Sequence, residues 1–178
     1  MIAFARSLCW FQIGHVLLSL NKLGKTEITT TTVNEVEVSS LGGLKIIPDY
    51  CLDKISVSKY DLLLIPGGDG IHLLVENEQI SKMITVFIAS LCGSAVFLAK
   101  SGILKGNKFT CNDHTVNKYN YIFETDNYTG TNVETSSSGF ITAKGAAFAE
   151  FTVTVLNELN LLKHKTQEEK VLAFCKGG

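Results

Sequence analysis

Tyr60-Asp61-Leu62-Leu63-Leu64-Ile65-Pro66-Gly67-Gly68-Asp69 is the stretch whose reading decides the fold. Residues 60–65 read as a strand that is nearly all apolar, without alternation, and a strand lacking a polar side must be covered on both faces, as in the middle of a parallel sheet. The run stops at Pro66-Gly67-Gly68, where proline cannot donate to a ladder and the glycines permit a tight turn. A second apolar run, Ile88-Ala89-Ser90-Leu91, stops at Cys92-Gly93-Ser94-Ala95 and leads into small residues suited to a helix. Short apolar runs alternate with longer amphipathic stretches along the chain. That is the pattern of an α/β domain with a mostly parallel sheet.

Outward from these runs, the spacing predicts a short strand at 2–5 and a helix over 13–23. Ile13, Val16, Leu17, Leu20 and Leu23 share one side of that helix, and Gly24 sits where a C-cap is favoured. The Thr- and Val-rich residues 27–33 read as a strand, and 38–49 as a hairpin or excursion turning at Gly42-Gly43. Residues 78–87 have helical character, 88–91 a strand pattern and 93–100 a helical one, which leaves a compressed junction at 86–88. Strand candidates follow at 108–111, 120–124 and 140–142. A strong helix is predicted over 146–162, then a charged surface segment at 163–170 and a last helical turn at 171–174. No repeat, low-complexity tract or linker divides the 178 residues. A single domain over 1–178 is expected, large enough to bury roughly 70% of its unfolded surface.

Bulk composition excludes several function classes. A formal net charge of -1 with 19% charged residues supplies no clustered basic face for nucleic acid. The 5 cysteines are odd in number, scattered and without C-x-x-C spacing, which argues against a zinc site and for a reducing cytoplasm. The longest apolar runs fall well short of the about 18 residues a membrane span needs, and the first residues lack a signal pattern. A soluble, unexported protein is expected.

In an open parallel sheet, chemistry gathers outside the carboxyl ends of the strands. A cysteine at such an end, on the sharp turn into a helix, is lifted out of the sheet toward the positive end of the helix, which favours its thiolate. Cys92 has that position. The N–H groups of Gly68 and Gly93 are placed to form an oxyanion hole for a carbonyl attacked by Cys92, with Gly67 allowing close approach. The plainer readings are a tight Gly-Gly turn and a cysteine acting as a small hydrophobe. Asp69 follows the turn and either binds a polar substrate group or caps the next segment.

Three stretches in order now resemble the ThiJ/PfpI superfamily of the class I glutamine-amidotransferase-like fold. They are Tyr60 through Asp69, Ala89-Ser90-Leu91-Cys92-Gly93-Ser94-Ala95 with its continuation to Gly106, and Ile141-Thr142-Ala143-Lys144-Gly145-Ala146-Ala147-Phe148-Ala149-Glu150-Phe151. Ser39-Ser40-Leu41-Gly42-Gly43 and Pro48-Asp49-Tyr50 resemble the bacterial branch of intracellular proteases and amidases. The resemblance implies a flavodoxin-like three-layer sandwich, Cys92 as the nucleophile of the elbow, a homodimer, and neither metal nor organic cofactor.

Two departures accompany it. Members carry a glutamate near the elbow sulfur; here Gln12 takes that place, with Phe11 where a tryptophan is expected, and no Asp or Glu occurs between Met1 and Lys25. A glutamine amide can donate a hydrogen bond to a thiolate but cannot shuttle a proton. Where protease-like members place histidine after the cysteine, Gly93 stands. Where others have Thr-x-His, the chain reads Thr110-Cys111-Asn112. His114, two residues on, or His15, one turn after Gln12, remains to act as a base. Cys111 is either an inert strand-end thiol or a resolving partner for oxidised Cys92. Two functions follow: a cysteine-dependent hydrolase or amidase on a small amide or carbonyl substrate, or a non-enzymatic or degenerate member serving as a cysteine redox sensor or a stress-response or chaperone-like protein.

Overall fold

Nine strands occur among the described residues in chain order: β1 (Ile2–Phe4), β2 (Thr30–Thr32), β3 (Val38–Ser39), β4 (Lys45–Ile46), β5 (Tyr50–Cys51), β6 (Leu62–Ile65), β7 (Phe87–Leu91), β8 (Val133–Ser136) and β9 (Phe140–Ala143). The helices are α1 (Phe11–Gly24), α2 (Ala95–Lys100), α3 (Asp113–Lys118), α4 (Phe148–Glu158) and α5 (Lys165–Cys175). The structure, a computed structural model, describes residues 2–4, 8–24, 26–33, 37–71 and 86–178. None of the described helices is long and apolar enough to cross a membrane.

The sheet has 7 strands in the order β5-β2-β1-β6-β7-β9-β8, and β3-β4 make a separate antiparallel pair. Every neighbouring pair in the large sheet is parallel except β8-β9. Its register explains the apolar runs. Leu63, Ile88 and Phe140 stand abreast and feed one core with Val96, Phe97 and Phe109. Leu64, Ala89 and Ile141 stand abreast on the other face, beneath Ile13 and Val16 of α1 and Phe151 and Val155 of α4. With helices on both faces, β6 has no solvent side, which is why its residues do not alternate.

Several expectations are corrected. Residues 108–111 join no ladder; Phe109 makes only an isolated bridge to Tyr128. Its ring is buried by stacking on Phe123 at 5.0 Å, so burial there comes from side chains rather than strand pairing. Residues 120–124 are turns, with the N–H groups of Ile122 and Phe123 donating back to the Tyr119 carbonyl. The charged 163–170 segment lies mostly exposed, as expected, but it is helical from Lys165: α5 begins there and runs through the expected last turn to Cys175. Helix α4 is shorter than the predicted 146–162, because Gly145–Ala147 form a 3-10 turn and Asn160 takes φ 55.

The predicted 27–33 strand contracts to Thr30–Thr32, while the 13–23 helix starts earlier, at Phe11. Likewise 93–100 divides into a 3-10 turn, Cys92–Ser94, and α2. Most of the predicted 78–87 helix lies outside the described residues, but Phe87 already belongs to β7. Val86 is a bend, and the helix side of the compressed junction lies outside the described residues. Residue 5 of the predicted first strand also lies outside the described residues.

Candidate active site

Strand β7 ends at Leu91, and the next residue, Cys92, has φ 58. The left-handed region is costly for a residue with a Cβ, so the surroundings must impose it. Ser94 supplies part of that constraint: its hydroxyl donates to the Leu91 carbonyl at 2.6 Å and lies 3.1 Å from the Ile65 carbonyl and 2.7 Å from Ser90 Oγ. The ends of β6 and β7 are thereby tied together under the elbow.

Two glycines let the sulfur's neighbours close in. A Cβ on Gly67 would lie 2.6 Å from Cys92 Cβ and 2.6 Å from Gln12 Oε1; one on Gly145 would lie 2.6 Å from Gln12 Nε2 and 3.2 Å from Cys92 Sγ. The Gln12 amide therefore passes between these glycines beside Cys92, carried by α1 and buried. Its Oε1 is buried with no hydrogen-bond donor among the described residues.

Asn112 makes the direct contact. Its Nδ2 donates to Cys92 Sγ at 3.0 Å while its Oδ1 accepts from the Gly145 N–H at 2.8 Å, so the amide is held at both ends. The residues after it are anchored as well. Asp113 accepts from the Tyr128 hydroxyl and from Lys144 Nζ at 3.0 Å, and these bonds hold its carboxyl below the usual carboxylate range. The Tyr128 hydroxyl lies 3.2 Å from the Cys111 carbonyl. Burial of that hydroxyl, and then Asp113, push its pKa upward.

A cavity of about 260 Å³ opens at the elbow, walled by Cys9, Gly68, Asp69, Cys92 and Gly93 on one side and by His114 and Lys118 of α3 on the other. A Cβ on Gly93 would stand 3.6 Å from the Gly68 carbonyl, so the backbones of these two glycines adjoin at the cavity wall. Among the sequence-derived candidates, Gly67, Gln12 and Asn112 surround the sulfur, and Gly68, Asp69, Gly93 and His114 line the cavity.

His15 is elsewhere. Its ring stacks on Phe148 at 5.3 Å and meets Phe174 edge-on at 6.0 Å, and its Nδ1 is buried without a partner among the described residues. Cys111 is fully buried, and its thiol is pushed to about 12, first by burial and then by the charge at Cys92. Sequence reasoning missed Gly145 and Cys9. For Gly145 the signal was present in the Lys144-Gly145-Ala146 motif, whereas nothing local marks Cys9 as a neighbour of the elbow. Among the described residues no three His, Cys, Asp or Glu side chains converge to hold a metal ion.

The sequence signature of the DJ-1/PfpI family matches residues 15–158, a span that includes the glycine turn, the elbow and Asn112. The chain belongs to the DJ-1/PfpI family. It is 32% identical over 172 residues to the "uncharacterized protease YoaZ" of Bacillus subtilis, covering 88% of this chain and 80% of that protein. It is 28% identical over 146 residues to "protein dj-1beta" of Drosophila melanogaster, covering 75% of this chain and 71% of that one. In structure it resembles the DJ-1 superfamily protein Atu0886 of Agrobacterium tumefaciens, with a TM-score of 0.84 over 99% of this chain and 96% of the other. At 23% identity that likeness establishes the fold. Gln12 lies just ahead of the span that carries the family signature.

Proposed function

We propose that this chain is a cysteine-dependent hydrolase or amidase acting on a small amide or carbonyl substrate through Cys92. The observation that carries the reading is Asn112 Nδ2, 3.0 Å from a sulfur on a residue held at φ 58. A donor so placed fixes the sulfur's position at the elbow, where the thiolate form would be the nucleophile. In the proposed reaction the sulfur attacks the carbonyl carbon and the C–O π electrons move to oxygen, where the Gly68 and Gly93 N–H groups receive the charge. Collapse expels the amine, and water then hydrolyses the thioester.

Gln12 helps hold the sulfur but moves no proton, so protonation of the leaving group falls to His114 or water. Asp69 at the cavity wall binds a polar group of the substrate. The cavity, about 260 Å³, is smaller than the roughly 300–1,000 Å³ typical of drug-sized ligands, which favours a small substrate. A cytoplasmic homodimer belongs to the same reading, supported by the five free thiols and the resemblance to the family.

Turnover against a panel of small amides and aldehydes, with Cys92→Ala beside the native chain, tests this. The substitution is expected to lower the rate by at least about a thousandfold. Activity that survives it overturns the nucleophile.

A second reading, redox sensing or a chaperone-like role, is favoured by one feature. The group that meets the sulfur is the Asn112 amide rather than an imidazole, and Gln12 stands in place of a carboxylate, so neither can carry a proton. Peroxide uptake at Cys92 without turnover on any amide or aldehyde would favour it.

A further inference from the structure

Cys9 takes no part in the amide chemistry, yet it walls the same cavity as Cys92. Its N–H donates to the Gly67 carbonyl at 2.8 Å, and Gly67 is the residue whose absent Cβ would lie 2.6 Å from Cys92 Cβ. Gly67 thus stands next to both cysteines: its carbonyl accepts from the Cys9 N–H, and any side chain on it would collide with Cys92. The segment bearing Cys9 is also pinned: Leu8 bridges to both Ser40 and Gly68. Cys9 is a free, partly exposed thiol, whereas Cys111 is fully buried.

We propose that Cys9 is the resolving thiol of Cys92 and that the pair reduces hydroperoxides. This rests on Cys92 being a reactive sulfur, as the amide reading also does. In the first step the Cys92 thiolate attacks the distal oxygen of the peroxide; an S–O bond forms, the O–O bond breaks, and the departing alkoxide or hydroxide takes a proton from water. Cys92 becomes a sulfenic acid. In the second step Cys9 loses its proton to solvent and its sulfur attacks the Cys92 sulfur. The S–S bond forms, the S–O bond breaks, and hydroxide leaves as water. Two thiols lose two electrons, and the peroxide becomes an alcohol, or water, plus a second water. An external dithiol returns the pair to its reduced state.

Electrostatics order the two steps. Burial first, then the charges at Cys92 and Asp69, push the Cys9 thiol up, so Cys9 keeps its proton until Cys92 has reacted. Oxidation of Cys92 to the neutral sulfenic acid removes one of those charges and eases deprotonation of Cys9. Cys111 is fully buried and its thiol is pushed up to about 12, whereas Cys9 is partly exposed at the cavity.

The test treats the reduced full-length chain with one equivalent of hydrogen peroxide, alkylates the remaining thiols and maps the peptides without reductant. The native chain should yield a Cys9–Cys92 linked peptide and lose two alkylatable thiols. Cys9→Ser and Cys9→Ala should both lose the link and accumulate one or more oxygens on Cys92, while Cys111→Ser keeps the link. A native chain in which Cys92 gains oxygens while Cys9 stays alkylatable, or in which Cys92 links to Cys111, overturns the proposal. Cys92 that alkylates readily but never links to Cys9 overturns the pair and leaves the amide reading standing. Cys92 inert to both reagents overturns both.

Discussion

Cys92 carries a backbone strain that its position requires. The chain turns from β7 toward α2 at a single residue with φ 58, and a side chain there costs about 1–2 kcal/mol relative to a right-handed conformation. Cys92→Gly should therefore be about 1 kcal/mol more stable than Cys92→Ala in denaturant unfolding, because both lack the sulfur and only glycine escapes the strain. Equal midpoints would show that the turn is unstrained. Cys92, Gly67, Gly68 and Gly93 are legible in the sequence, since a strand end and its turn are encoded within a few consecutive residues. Gln12 and Asn112 are reached through family resemblance. Cys9 and Gly145 come from distant parts of the chain, and only folding brings them to the elbow.

Among the elements, the sheet edge at β2-β5 is fastened by one side chain. Asp49 accepts from the Thr30 N–H and the Thr30 hydroxyl, each at 2.7 Å, and its own N–H lies 3.0 Å from the Thr30 carbonyl. The backbone bond from Thr30 is the first cause holding the Asp49 carboxyl below the usual range, the Thr30 hydroxyl the second. The folded pKa lies under the unfolded one, so the stabilisation is present above the unfolded value and is lost as pH falls through the folded value. Asp49→Ala should cost about 0.5–1 kcal/mol at about pH 7, a modest figure because the group is solvent-screened. The gap from the native chain should close as pH falls below about 4; a gap that persists in acid would mean that the carboxylate's charge is not what fastens the edge. Strand β8, Val-Glu-Thr-Ser, escapes sequence reading for a related reason. It is a polar edge strand held by main-chain pairing to β9, with no apolar alternation to reveal it.

At the scale of the molecule, the two cores are separate, one on each face of the sheet, and the elbow stands at the carboxyl ends of the strands between them. Phe151 of α4 is fully buried in the core shared with α1, the helix that carries Gln12. Phe151→Ala should destabilise by about 3–5 kcal/mol, read from urea unfolding followed through Trp10, the single tryptophan. A loss under about 1 kcal/mol would mean that the cavity collapses or that α4 contributes little to the fold. The sequence by itself determined the α/β class, the two-sided burial of β6 and the turn at Cys92, because periodicity and local sterics are written in neighbouring residues. It misplaced 108–111 as a strand because apolar character reports burial and not the partner that provides it. Only the tertiary structure decided what surrounds the sulfur. Asn112 in contact, Gln12 between two glycines, His15 turned to Phe148 and Cys9 across Gly67 all depend on strand order, which sets distant segments side by side at one end of the sheet.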